Sequence, residues 1–354
     1  MRILVIDDSA LMRQAMTGLL ESLRNAEVAV ARDGEQGLQM VADWDPDVVT
    51  LDMTMPGMDG LTCLKHVMAE HPRPVIILSA STPRDSGPAL EALSVGAFEV
   101  VEKPNGRLST GLEDLGRRIK PVVREAFRSR LRGPKAPPPA PRPAIAPKPT
   151  ATRGARSRPA SGDLVLIGVS TGGPSALEQI IPVLPPDLPV PVLVAQHMPG
   201  SFTASFARRL DERSAIRVRE ARGPTPLEPG TVYIAHGESD MVVQSRRSEV
   251  SATTLKPNPA HSWHPSVDLL VESALLTHPP ERLLGVLLTG MGNDGARAMT
   301  ELARRGGHTI AEDESTAVVF GMPRELIDAG GAKKIAPLPQ IADEIVGWVR
   351  RKER

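Results

Sequence analysis

Short apolar runs alternate with amphipathic stretches over the first 125 residues. "RILVI" precedes a helical pattern over about residues 9–24, "VAVA" one near 34–43, "DVVTLD" one over about 59–70, "VIILS" one near 86–95, and "FEVVEK" a last helix. Apolar runs of this length bounded by turn residues read as buried strands, and strands alternating with helices predict a parallel sheet covered on both faces. The expectation for this half is a five-stranded parallel α/β sheet. The alternation resumes at "LVLIGVS", "PVLVAQH" and "LLGVLLTG", predicting a second, doubly wound α/β domain with a mostly parallel sheet. Between these, "TVYIAHG", "MVVQSRR" and "EVSATTL" read as shorter strands with antiparallel pairing. The chain has no internal repeat.

Residues 128–158 break the pattern. They contain no acidic and no aromatic residue but eight prolines, so burial cannot offset the entropy of ordering them. Domains are expected at 1–125 and 163–350, joined by a Pro/Arg-rich linker at 126–162. Proline-rich chain extends at about 3.1 Å per residue, so such a tether lets two domains separate or lie close. The 42 Lys and Arg balance 42 Asp and Glu, leaving no overall field toward nucleic acid or an anionic membrane. The single cysteine, Cys63, the absence of a secretory pattern in "MRILVIDDSA", and the lack of a run near the ~20 apolar residues of a membrane span point to a cytoplasmic protein without direct membrane insertion.

In a parallel α/β sheet, ligands bind beyond the carboxyl ends of the strands. Asp7 and Asp8 end the first predicted strand, Asp52 the third and Ser79 the fourth, while Lys103 follows the fifth. Clustered carboxylates need a cation, and oxygen ligands suit Mg²⁺, which keeps waters and accepts phosphate oxygens. An Asp beside Mg²⁺ and a Lys can accept a phosphoryl group as an acyl phosphate. The alternative is a solvated acidic rim.

With "VIDDSALMR", "TLDMTMPGMDG", "ILSAS" and "VEKP" in order, residues 1 to about 125 resemble a two-component receiver domain, whose fold is flavodoxin-like. The resemblance implies Asp52 as phosphoacceptor, Asp7, Asp8 and Asp52 as the Mg²⁺ site, Ser79 as the hydroxyl that responds to phosphate, and Lys103 as counter-charge. It also implies a CheA-type histidine kinase as phosphodonor. Val100 stands where many receivers carry an aromatic switch residue.

In the second half, "GVSTGGPS" poses a choice between a phosphate cradle and a nucleophile mount. The Walker pattern needs a Lys after its second glycine, but Pro174 and Ser175 follow Gly173, and the G-x-G-x-x-G fingerprint also fails. Gly168, Ser170 and Gly172 fit G-x-S-x-G, a strand-to-helix turn that lifts a serine hydroxyl clear of a sheet. A plain helix cap fits the same residues. His197 closes "PVLVAQH", so it can neighbour Ser170 as a base, although a histidine closing a buried strand is, taken alone, more often structural. Asp294, on the glycine-rich turn after "LLGVLLTG", supplies an acid at another strand end. The order Ser, His, Asp differs from that of α/β-hydrolases, so their fold is not implied.

"IGVSTGG", "AQHMPGSFTASFARRL", "PGTVYIAHG", "HPSVDLL", "LLTGMGNDGA" and "VVFGMPRE" together resemble the chemotaxis receptor methylesterases, the CheB family. The resemblance implies hydrolysis of glutamate γ-methyl esters on methyl-accepting chemotaxis receptors, with deamidation of receptor glutamines. It makes Ser170 the nucleophile, His197 the general base and acid, and Asp294 the orienting carboxylate, with Thr171 and Met291 beside the oxyanion; no cofactor is expected in this half. Trp263 stands where some members carry a further active-site histidine, and His264 adjoins it. A metal-binding His261/His264 pair lacks further Cys or His partners, so substrate contact or packing is the expectation. A receiver tethered to an esterase implies a switch in which phosphorylation of Asp52 uncovers the cleft. A DNA-binding regulator is the rival class, but the second half has no helix-turn-helix pattern; an inactive adaptor is the other.

Overall fold

In the first unit the strands form where the apolar runs fall, and each is followed by a helix. The computed structural model describes residues 1–80, 86–104, 108–131, 162–246 and 249–352, and the chain divides into two units, Met1–Lys135 and Ala136–Arg354.

In the first unit the elements are β1 (Arg2–Ile6), α1 (Ala10–Glu21), β2 (Glu27–Ala31), α2 (Gly34–Trp44), β3 (Val48–Asp52), α3 (Gly60–Glu70), β4 (Val75–Ser79), α4 (Ser86–Val95), β5 (Glu99–Glu102) and α5 (Leu108–Leu131). The sheet order is β2-β1-β3-β4-β5, parallel throughout. β3 and β4 are buried at every position, as expected of central parallel strands covered on both faces. Ser9, Asp33 and Asp59 cap α1, α2 and α3, each side chain accepting a hydrogen bond from the amide three residues on, which fixes where the helices leave the strand ends. The chain departs from β1 and β3 to opposite sides, opening a crevice at their carboxyl ends. Of the expected linker, residues 126–131 continue α5, and 132–161 lie outside the described residues.

The second unit begins with β6 (Leu164–Val169), α6 (Gly173–Ile180), β7 (Val192–Gln196), α7 (Gly200–Arg213), β8 (Arg217–Ala221), β9 (Thr225–Pro226), β10 (Thr231–Ala235), β11 (Asp240–Arg246) and β12 (Glu249–Leu255). It continues through α8 (Val267–Thr277), β13 (Leu283–Leu287), α9 (Ala296–Arg304), β14 (His308–Glu312), α10 (Met322–Asp328), β15 (Lys334–Ala336) and α11 (Leu338–Lys352). Seven parallel strands run β15-β14-β13-β6-β7-β10-β8, and β11-β12-β9 form a small antiparallel sheet.

"TVYIAHG" departs from expectation. Thr231–Ala235 is not antiparallel but pairs parallel with both β7 and β8. All five residues are buried, so the run lacks the alternation of a one-sided strand. Its neighbour β8, an edge strand of sequence "RVREA", is too polar to read as part of the main sheet. Tyr233, fully buried, donates its hydroxyl to Pro226 O at 3.0 Å and accepts from Glu228 N at 2.9 Å, tying β10 to the loop between β9 and β10. β6 lies between β7 and β13, so the second switch point falls at its carboxyl end. Among the described residues, no helix is long and apolar enough to cross a membrane.

Candidate active site and acidic cleft

At the first switch point, Asp7 and Asp52 are buried and Asp8 is exposed. Arg13 of α1 donates to the carbonyls of Asp7 and Asp8 at 2.7 and 2.9 Å, and Ser9 N donates to Asp7 Oδ1 at 2.9 Å. Lys103 Nζ lies 2.8 Å from both Asp7 Oδ2 and Asp52 Oδ2. Burial pushes the Asp52 carboxyl above the usual range against the pull of Lys103 and the Thr54 amide, and Asp7 adds to the rise. Burial by itself would lower the Lys103 ammonium, but its bonds to Asp52 and Asp7 hold it above its ordinary value.

Asp7, Asp8 and Asp52 can each offer a carboxylate oxygen within 4.8 Å of the others. This all-oxygen set, with two of its three members buried, fits a hard divalent ion such as Mg²⁺. Ser79, fully buried, ends β4. Its hydroxyl donates to Ala80 O at 3.3 Å, and its carbonyl accepts from Lys103 N at 2.8 Å. Val100 is a buried β5 residue.

At the second switch point, Ser170 follows β6 and is 9% exposed. Gly172 has φ +79° and lies against Val318 and Thr289, where a side chain would be both strained and crowded. α6 therefore starts abruptly at Gly173. The β6–β7 register pairs Val169 with Gln196, so Ser170 and His197 leave the sheet side by side. The Gln196 side-chain amide donates to both Ser170 O and His197 O at 3.0 Å, and Ser170 N donates to Thr289 O at 2.9 Å.

His197 Nε2 lies 2.9 Å from Asp294 Oδ2, with both side chains buried. The carboxylate assigns the ring proton to Nε2 and leaves Nδ1, which is buried without a hydrogen-bond partner, as the basic nitrogen. Asp294 also receives Val267 N at 2.7 Å, Asp268 N at 3.0 Å and Ser266 Oγ at 3.2 Å. The carboxylate thus sits at the N-terminus of α8, where amides and helix dipole favour an anion. Burial would raise its pKa, but the His197 bond and charge and the two amides outweigh it and hold the carboxyl below the usual range.

Trp263 stacks on His197, with ring centroids 6.0 Å apart and planes 6° apart. Its loop is anchored by Asp240, fully buried, which accepts from Ser266 N and Asn258 N at 2.9 Å and lies 3.0 Å from His264 Nδ1. His261 Nδ1 lies 3.2 Å from Ser266 Oγ, so His261 and His264 bond to different partners. Thr171 is buried and Met291 half-buried; a Cβ on the neighbouring Gly290 would lie 2.7 Å from Ser170 Cβ, so this loop packs on the serine turn. A cavity of about 750 Å³ lies on the Asp294 side of the pair, lined by His261, Trp263, Asp268, Asn293, Asp294 and Arg297 among others but by neither His197 nor Ser170.

The roles of Gln196, Ser266 and Asp268 and the stacking of Trp263 are not legible in the sequence. Only Ser266 carried a local signal, a serine directly before an apolar helical run.

Two parallel α/β units, one ending in a lysine-bridged acidic cleft and the other in a buried His–Asp pair beside a serine turn, define a receiver-type module joined to a hydrolase-type module. Residues 3–110 match the response regulator receiver domain and residues 165–345 the CheB methylesterase. The chain belongs to the CheB methylesterase family. It is 46% identical over 363 aligned residues to protein-glutamate methylesterase/protein-glutamine glutaminase 3 of Rhodospirillum rubrum, covering 99% of this chain and 96% of that protein. It is 45% identical to protein-glutamate methylesterase/protein-glutamine glutaminase 2 of Rhodopseudomonas palustris, covering 98% of each. The catalytic domain of Thermotoga maritima CheB methylesterase superposes with a TM-score of 0.51 at 38% identity, covering 54% of this chain and 99% of that one.

Proposed function

We propose that the protein hydrolyses glutamate γ-methyl esters on methyl-accepting chemotaxis receptors, and deamidates receptor glutamines, under control of phosphorylation at Asp52. The observation that carries the reading is the buried His197–Asp294 pair, with Nδ1 unpartnered on the strand next to Ser170. Full-length kinship with proteins named for this activity supports it.

Ser170 Oγ attacks the ester carbonyl as His197 Nδ1 takes its proton. Asp294, kept ionised by the amides of α8, stabilises the resulting imidazolium through Nε2–H. The tetrahedral oxyanion forms beside Thr171 and Met291, where a single donor contributes about 10²–10³ in rate. His197 then gives the proton to the departing methoxide, releasing methanol, or to the amine of a glutamine, releasing ammonia. Water, deprotonated by the same Nδ1, attacks the acyl-enzyme; the carbonyl–Oγ bond breaks, Nδ1 returns the proton to Ser170 Oγ, and the glutamate is freed.

In the other unit, Asp52 accepts a phosphoryl group from a CheA-type histidine kinase. Asp7, Asp8 and Asp52 would hold Mg²⁺, which when bound neutralises phosphoryl oxygens and carboxylates. Lys103, already between Asp7 and Asp52, supplies the fixed counter-charge, and Ser79 lies next to Lys103 at the adjacent strand end. The proposed organisation is a receiver at 1–125 tethered by 126–162 to a catalytic domain at 163–350, with phosphorylation uncovering the catalytic cleft.

The test is methanol release from membranes bearing receptors with labelled methyl esters, with and without acetyl phosphate and Mg²⁺. Release that requires Ser170 and rises with phosphodonor, with the rise lost in Asp52→Asn, is expected. Full release by Ser170→Ala would refute the triad, and undiminished stimulation of Asp52→Asn would refute the control.

A further inference from the structure

We propose that Trp263 is a positioning residue for His197: the stacked indole fixes the plane of the imidazole and favours the imidazolium formed while the ring carries the serine proton. This rests on the Ser170, His197 and Asp294 reading and adds to it a residue that reaches the reacting atoms only through His197.

The geometry is that of an offset parallel stack, with centroids 6.0 Å apart and planes inclined by 6°. A cation over an indole face within about 6 Å is attracted by the ring quadrupole, more so where water is excluded. His197 is 8% exposed, so its charged form has little hydration to rely on. The charged or titratable groups nearby are Asp294 on Nε2, Asp268 of α8, whose amide bonds Asp294, Arg297 of α9, paired with Asp268, and His261, linked to Asp294 through Ser266 Oγ. The Trp263 indole adds a face contact that none of these provides.

The surrounding structure holds the indole in place. Gly292 has φ +91°, and a Cβ there would lie 2.7 Å from Trp263 Cζ2, so the backbone abuts the indole where no other residue leaves room. On the chain to either side, Asn258 N, His264 and Ser266 N all converge on the buried Asp240. Trp263 is thus fixed by its own loop and by the loop that carries Asp294.

In the proposed step, the Ser170 Oγ–H bond breaks as the Oγ–carbonyl bond forms, and the proton passes to Nδ1. It leaves Nδ1 for the departing oxygen when the carbonyl–oxygen bond breaks. The stack favours the charged ring in the free enzyme as well as between these two transfers, and it touches no substrate in this scheme, so its loss lowers kcat rather than substrate affinity.

The experiment compares full-length wild type, Trp263→Phe, Trp263→Leu and Ser170→Ala, with phosphodonor, in steady-state methanol release across pH. Trp263→Leu is expected to lower kcat about tenfold with KM within about twofold. Its acid limb in kcat/KM should move to lower pH, because the imidazolium has lost a stabilising neighbour, and Trp263→Phe should lie between. A pocket merely opened to water would move the limb the other way. Wild-type kcat and an unmoved limb in both variants, while Ser170→Ala is inactive, would overturn the proposal and leave the triad standing. Equal losses in Phe and Leu with an unmoved limb would reduce Trp263 to packing and also overturn it. Full activity in Ser170→Ala would bring down the triad reading itself. If circular dichroism shows Trp263→Leu unfolded, the limb of Trp263→Phe decides.

Discussion

Asp294 and Asp268 cap each other's helices. Asp294, just before α9, accepts the first amides of α8, while Asp268, in the first turn of α8, accepts Ala298 N of α9 at 2.9 Å. Each helix start is satisfied by a carboxylate from the other, which locks the turn bearing Asp294 to the start of α8. Asp268→Ala should therefore cost about 1 kcal/mol of stability and also lower kcat, since the α9 turn orients Asp294. Urea unfolding and methanol release on the same preparation check both; a stability loss with unaltered kcat would confine Asp268 to capping.

Asp294→Asn tests the orienting role more directly. An amide has one acceptor oxygen where the carboxylate now serves His197, two backbone amides and Ser266. The imidazole loses both its charge partner and its enforced tautomer, and kcat is expected to fall on the order of 10⁴-fold. A fall of less than tenfold would mean that His197 is held by other contacts.

The same carboxylate carries a pH signature. Its folded pKa lies below 3.8, the unfolded value, with burial opposed and outweighed by His197 and the α8 amides. Its contribution to stability is thus fully present above pH 3.8 and is lost as pH falls through the depressed pKa. In acid unfolding followed by tryptophan fluorescence, wild type should lose stability more steeply below pH 3.8 than Asp294→Asn. Parallel curves would remove Asp294 from the linkage.

Gly292→Ala combines a backbone and a steric penalty. A positive φ costs a non-glycine residue about 1–2 kcal/mol, and the added Cβ would press on Trp263. The variant should be less stable by that amount and slower in hydrolysis, with unfolding midpoints and kcat as the measurements.

Lys103→Met leaves Asp7 and Asp52 facing each other without the ammonium that now lies 2.8 Å from each. Stimulation by acetyl phosphate should be lost while Ser170-dependent hydrolysis persists. Retained stimulation would assign the counter-charge elsewhere.

Strand-end chemistry was legible because parallel sheets present polar residues where apolar runs stop, so Asp7, Asp52, Ser79, Ser170 and His197 could be placed from local pattern. The parallel pairing of β10 is not legible, because five buried residues carry no sign of which partners flank them. Trp263 stands out only by its position in the family motif, and its stack is not legible, since its contacts with His197 and Gly292 join residues far apart in the chain.

The sequence by itself determined two α/β units, their parallel sheets and the candidate residues at the strand ends, because hydrophobic period and turn chemistry are local properties. Tertiary structure decided which atoms meet. It turned Nε2 of His197 to Asp294 and left Nδ1 free, put that carboxylate on the N-terminus of α8, and laid Trp263 on the ring. These are contacts between segments 66 to 97 residues from His197 in sequence, fixed only when the helices pack against the sheet.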